Sequence, residues 1–215
     1  MQSNPKDIKT AVKRAEFTYP VMESFYTLQG EGKYQGHAAY FIRLGGCDVG
    51  CHWCDVKESW PIDTHPKKSV QTLVEEASEH PGRLVVITGG EPLMHNLFPL
   101  TEALQAAGFR THIETSGVCD TFTGHWDWIC FSPKKFKEPN PAIYAAVHEL
   151  KVVVFHKSDI PWAETFVDKI PEDAHYYLQP EWSKQVEMNE LIVSFVKENP
   201  KWQISVQTHK FLQIP

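Results

Sequence analysis

At 215 residues, 42% hydrophobic and 22% charged, the chain has ordinary globular composition and enough length for one good core, so a single domain over 1–215 is expected, with 1–18 as a polar lead-in. The net charge of −6 advertises neither nucleic acid nor anionic membrane as a partner. No apolar run approaches the roughly 20 residues of a membrane helix, and the polar start (Met1 to Asp7) lacks a signal-peptide stretch, so a cytoplasmic protein is expected.

In chain order, 38–44 reads as a strand running straight into Gly45-Gly46-Cys47. Residues 69–80 carry Val70, Leu73, Val74 and Ala77 at helical spacing, with Ser69 as N-cap. A strand at 84–87 follows, then a helix near 97–107 that stops at Gly108. Strands are expected at 110–114, 127–131, 151–155, 175–179 and 203–207, with helical patterns at 141–149, 160–169 and 184–198 between the later ones. The strands read as continuous apolar runs covered on both faces, and their alternation with helices implies parallel pairing. About seven strands in a chain shorter than the roughly 250 residues of a full βα barrel predict an α/β fold built as a partial, trimmed βα barrel. An open doubly wound sheet is the alternative.

Polar residues collect just after the apolar runs: Thr88-Gly89-Gly90-Glu91-Pro92, Glu114-Thr115-Ser116-Gly117, Ser132-Pro133-Lys134, Gln179-Pro180 and Gln207-Thr208-His209-Lys210. Ligands of parallel α/β folds sit at the carboxyl ends of strands, so these stretches are expected to ring one mouth. The Gly89-Gly90 pair would let a ligand touch backbone, and Glu91 could hold an ammonium group.

Cys47, Cys51 and Cys54 share the same rim, in a Cys-x3-Cys-x2-Cys loop. An odd total of five cysteines, three of them clustered, argues against a disulfide framework and for metal. Three thiolates leave a four-iron cluster with one open iron, which suggests chemistry. A zinc site with His52 or Asp55 as fourth ligand is the plainer reading. Cys119 and Cys130 are isolated and read as core filling.

The cysteine spacing, Trp53 before the third cysteine, and Gly-Gly-Glu-Pro after the next strand resemble the radical S-adenosylmethionine superfamily. Within it, Gln29-Gly30-Glu31-Gly32, the run Phe41-Ile42-Arg43-Leu44 into the cysteines, Glu114-Thr115-Ser116-Gly117, Ser132-Pro133-Lys134, Leu178-Gln179-Pro180, Gln207-Thr208-His209-Lys210 and the terminal Pro215 resemble the 7-carboxy-7-deazaguanine synthases. The likeness runs from about Tyr19 to Pro215. It implies a [4Fe-4S] cluster on Cys47, Cys51 and Cys54, a bound S-adenosylmethionine, and a carbon–nitrogen lyase reaction. In that reaction 6-carboxy-5,6,7,8-tetrahydropterin becomes 7-carboxy-7-deazaguanine with loss of ammonia, a step towards queuosine in tRNA. Thiolate-held clusters reach potentials down to roughly −700 mV, which suits reductive cleavage of a sulfonium.

The resemblance implies roles residue by residue. The backbone of Leu28, Gln29 and Gly30 would read the pterin edge, with Glu31 beside it. Arg43 would clamp and orient the substrate carboxylate. Thr88, His209 through its backbone, and the carboxylate of Pro215 would complete the substrate pocket. Trp53, Cys54, Asp55, Gly89, Gly90, Glu91, Ser116, Ser132, Pro133, Lys134 and Gln179 would contact S-adenosylmethionine. A flavodoxin or ferredoxin would deliver the electron, and a homodimer is implied. The family also implies Mg2+, held in part by a Thr or Ser hydroxyl two residues past the last cysteine. Here that position is Val56, which has no ligating atom, so either magnesium is held mainly by substrate and water, with Glu31 or Asp55 as further candidate ligands, or the dependence on it is weak, which is the expectation. A glycyl-radical activase with the same cysteine spacing, or a zinc-binding module without catalysis, are the competing readings.

Overall fold

Side chains alternate across a strand, and here that alternation separates a packed face from a chemical one. The structure, a computed structural model, describes residues 17–215, so the expected lead-in lies outside the described residues up to residue 16, and its last residue already opens the first strand. The elements are β1 (Thr18–Leu28), β2 (Ala38–Leu44), β3 (Lys67–Ser69), α1 (Val70–Ser78), β4 (Leu84–Gly89), α2 (Phe98–Ala106), β5 (Arg110–Thr115), β6 (Trp128–Phe131), β7 (Glu149–Val154), α3 (Asp159–Glu164), β8 (His175–Pro180), α4 (Gln185–Glu198), β9 (Trp202–Ile204) and α5 (Thr208–Leu212).

The nine described strands form one sheet in the order β3-β1-β2-β4-β5-β6-β7-β8-β9. The seven from β2 to β9, leaving out β3, pair in parallel, and they are the seven that the sequence predicts. The sheet ends at β3 on one side and β9 on the other, so the barrel is partial, as expected. β1 is an addition. It runs antiparallel to both β2 and β3, with a register shift between Val21 and Glu23, just after Pro20. A proline and mixed polarity hide such a strand from an apolar-run reading.

Ser69 caps α1 as predicted, its hydroxyl accepting from the Thr72 N–H at 3.0 Å. The helical pattern expected at 141–149 is only a 3-10 turn at Pro141–Ala146, because Glu149 already belongs to β7. The pattern at 160–169 splits into α3 and a 3-10 turn at Val167–Lys169.

The helix-facing side of the sheet (Ile42, Val85, Ile87, Ile113, Phe131, Leu150, Val152 and Leu178 among others) packs with Leu73, Leu100, Leu104 and Ile192 into the main core. The opposite side is not the second apolar face that continuous runs imply. Its base is plugged by Tyr34, Ala39, Phe41, Leu84 and Val86, with Phe25 and Trp128 against them. Above that plug the inward residues Arg43, Thr88, Glu114, Lys151 and Gln179 are polar, with the apolar Val153 among them. Among the described residues no helix is long and apolar enough to cross a membrane.

Candidate active site

The carboxyl ends of the parallel strands surround a cavity of about 260 Å³, with the cysteine loop on its rim. The loop leaves β2 and folds back on itself. The Gly46 N–H donates to the Ser59 carbonyl at 2.7 Å and the Cys47 N–H to that of Trp60 at 3.1 Å. Asp48 ties it to Lys137 at 2.6 Å. Cys47, Cys51 and Cys54 all line the cavity, and Cys51 packs with Val49 and Val118. Burial pushes the Cys47 thiol up and the Cys51 thiol up to about 11, so binding metal there releases protons.

Among the described residues no three His, Cys, Asp or Glu groups close on a single ion. Cysteines that hold an iron–sulfur cluster each take a different iron and so surround a space, not a point. The donor set fits a cluster. It does not favour zinc, because His52 sets its ring edge-on to Phe136 and Phe155, and Asp55 pairs with Lys210 at 2.8 Å.

The Gly89-Gly90 turn brings β4 against the cysteine loop. A Cβ on Gly90 would lie 2.2 Å from the Gly46 carbonyl oxygen, and Gly89 has φ +146°. The close backbone approach is therefore first to the protein's own loop: the Gly90 N–H donates to Leu44 at 3.0 Å and the Glu91 N–H to Gly46 at 2.7 Å. Glu91 departs from its expected role. It is buried, with one oxygen accepting from the Leu93 N–H (3.0 Å) and the Thr115 hydroxyl (2.5 Å), the other from the N–H (2.8 Å) and hydroxyl of Ser116. With both oxygens engaged it cannot also hold an ammonium group; it staples the turn to the end of β5.

Sequence reasoning missed the charged group on the cavity floor. Lys151, fully inside β7, donates to Glu31 at 2.5 Å and to Glu114 at 3.0 Å. Gln29 Nε2 donates to the other Glu114 oxygen at 2.8 Å, and Gln207 Nε2 to the other Glu31 oxygen at 2.9 Å. Burial alone would discharge Lys151, yet Glu114 and Glu31 hold its pKa well above the ordinary value. Burial likewise opposes charge on Glu114, and Lys151 more than offsets it, so this carboxyl stays low. A lysine inside the run Glu-Leu-Lys-Val-Val-Val was the available signal.

The C-terminal segment closes the mouth. The Thr208 N–H donates to the Gly30 carbonyl at 3.0 Å, and the His209 ring lies on Gly30, where a Cβ would come within 2.1 Å of Nδ1. Burial pulls the His209 pKa down. Pro215 lines the cavity, its oxygen accepting from the Thr27 hydroxyl at 3.2 Å.

The structure brings nearly all of the predicted residues to this one cavity: Leu28, Gln29, Gly30, Glu31, Arg43, Cys47, Cys51, Trp53, Cys54, Asp55, Thr88, Gly89, Gly90, Ser116, Ser132, Lys134, Gln179, His209 and Pro215. Glu91 and Pro133 lie behind its wall. The backbone of Gln29 is already used, donating to His37 and accepting from Gly36, both at 2.8 Å. Among the described residues Arg43 uses only Nε on protein, donating to Glu23 at 2.7 Å, so its terminal nitrogens remain for a ligand. Lys134 folds back to the carbonyl (2.5 Å) and hydroxyl (2.7 Å) of Ser132, and burial lowers its pKa. Cys119 packs beside the cysteine loop, while Cys130 is fully buried with its thiol 3.5 Å from Glu149.

Residues 41–137 match the family model of the Radical SAM superfamily. The chain is 51% identical over 210 residues to the 7-carboxy-7-deazaguanine synthase of Flavobacterium psychrophilum, covering 98% of this chain and 99% of the relative. The enzyme of the same name from Synechocystis is 48% identical over 197 residues, covering 92% and 94%. The crystal structure of QueE from Escherichia coli superposes with a TM-score of 0.83 at 31% identity, covering 97% of this chain and all of that one.

Proposed function

The chain belongs to the 7-carboxy-7-deazaguanine synthase family of radical S-adenosylmethionine enzymes, and from that premise we propose that it converts 6-carboxy-5,6,7,8-tetrahydropterin to 7-carboxy-7-deazaguanine with loss of ammonia. Membership implies a [4Fe-4S] cluster, which Cys47, Cys51 and Cys54 would hold, and S-adenosylmethionine; together these would supply radical hydrogen-abstraction chemistry at the substrate ring. The observation that carries the reading is the convergence of the three cysteines with Arg43, Thr88, Ser132, Lys134 and Gln179 on one cavity.

The protein's own work is holding and shielding. Cys47, Cys51 and Cys54 would hold the cluster. Trp53, Gly89, Gly90, Ser116, Ser132, Lys134 and Gln179 would contact S-adenosylmethionine, with Glu91 acting from behind by fixing Ser116. Leu28, Gly30, Thr88 and His209 would border the pterin, and Arg43 would take its carboxylate on a planar fork. The apolar plug that includes Phe41 and Val86 lies below the cavity and would help to exclude water that could quench an intermediate. No side chain is needed as a strong base for the first step. A reduced flavodoxin or ferredoxin would supply the electron, and the enzyme would work as a homodimer in the cytoplasm.

The test is turnover. Protein reconstituted anaerobically with iron and sulfide receives reductant, S-adenosylmethionine and 6-carboxytetrahydropterin, and mass spectrometry follows the deazaguanine. Product in excess over enzyme is expected. Release of 5′-deoxyadenosine without that product would keep the radical chemistry and reject the substrate.

A further inference from the structure

The wall beside the cysteine loop bears on how a ligand's carboxylate is received, an inference that rests on the proposed pterin substrate. A hard divalent cation takes oxygen ligands. Val56 lines the cavity there with hydrocarbon. The neighbouring Asp55 accepts from Lys210 Nζ at 2.8 Å. Both oxygens of Glu31 are taken, by Lys151 and by Gln207. Among the described residues no three ligating groups gather at a point. Among the described residues the second oxygen of Asp55 is all that these groups leave for a cation, and that carboxylate is already paired with Lys210, so this donor set fits magnesium poorly.

What stands there is a fixed cation. Lys210 lines the cavity on α5, with Nζ 5.2 Å from the centre of the Trp182 ring as well as paired to Asp55. An ammonium has three N–H donors. Asp55 takes one, and two are left. Arg43, on the same cavity, is held to Glu23 through Nε. The position of Lys210 is set in advance, because the Thr208 N–H is bonded to Gly30 and the His209 ring is packed on it. A carboxylate entering a half-buried cavity needs counter-charge and donors; these two side chains supply the donors, and because their partners Glu23 and Asp55 are exposed to solvent they keep part of their charge for a ligand. We propose that this chain receives the carboxylate of its substrate directly on Arg43 and Lys210, with no divalent ion between protein and substrate.

The experiment is a binding titration on the full chain carrying its cluster. Pterin-6-carboxylate and pterin without the carboxylate are titrated by fluorescence, each in chelator and in excess magnesium. The carboxylated pterin should bind more tightly than plain pterin, with an affinity that magnesium changes by less than about twofold. Lys210→Met should weaken the carboxylated ligand about tenfold, the loss of one charge-assisted contact, and leave plain pterin unchanged. Lys210→Arg should restore most of the difference. Tightening of wild-type binding by about tenfold or more with magnesium, abolished in Asp55→Asn, would overturn the proposal by showing that Asp55 leaves Lys210 for a metal. Equal weakening of both pterins by Lys210→Met would overturn it too, since Lys210 would then only support the mouth. Failure of wild type to bind either pterin would reject the substrate reading itself, and this inference with it.

Discussion

Leu150 and Lys151 are neighbours in β7, both buried, and they serve opposite faces of the sheet. Leu150 packs in the main core under the helices. Lys151 faces the cavity and is held by Glu31 and Glu114. The helix side is largely apolar, with the Trp202 indole nitrogen buried in it and unpartnered among the described residues. The cavity side carries charge that is kept only because each ion has partners. The difference teaches where the fold gets its stability and where it accepts a cost: hydrophobic burial on one face supports a polar arrangement on the other that contributes little net stability by itself.

Breaking an ion on the cavity side should have the largest effect. Lys151→Met strands two half-buried carboxylates and is expected to cost about 3–5 kcal/mol, read as a lowered urea midpoint of cluster-free protein. Adding Glu31→Gln and Glu114→Gln should recover much of the loss; no recovery would show that Lys151 matters through packing. On the other face, Leu150→Ala should cost about 2–5 kcal/mol through the cavity it leaves, and no charge change elsewhere should rescue it.

Acid sharpens the comparison. His112 is fully inside the barrel with neither ring nitrogen partnered among the described residues, and burial drives its pKa down to about 4. The unfolded chain therefore binds the extra proton below the unperturbed pKa of about 6.5, while the folded one resists until about pH 4. Stability should fall by up to about 3 kcal/mol as pH drops across that window. His112→Phe should flatten this part of the profile in urea titrations at a series of pH values. An unchanged slope would mean that other groups set it.

Smaller effects separate site from scaffold. Arg43→Ala should raise KM about tenfold with little change in the urea midpoint; wild-type kinetics in that variant would remove Arg43 from the site. Ser69→Ala, at the N-cap of α1 on the packed face, should cost about 1 kcal/mol and leave KM alone.

Much of this was legible in the chain, for identifiable reasons. The seven parallel strands are apolar on the helix side, and each delivers its polar residues just past its end, so strand order along the sequence already gathers the site. The cysteine spacing is local and needs no fold to be read. β1 escaped because Pro20 and Glu23 interrupt its pattern, and pairing with β2 is what makes it a strand. Glu91 was misjudged because nothing local shows that Thr115 and Ser116 will come to meet it.

The class of fold, the three-cysteine loop and most of the residues that border the cavity are legible in the chain alone. Those depend on periodicity and short spacing, which act along the chain. Only the tertiary structure decided which charges are paired: Lys151 with residues 120 and 37 positions away, Lys210 with Asp55 across 155. An ion pair depends on distance in space and on burial, and neither is set by separation along the chain.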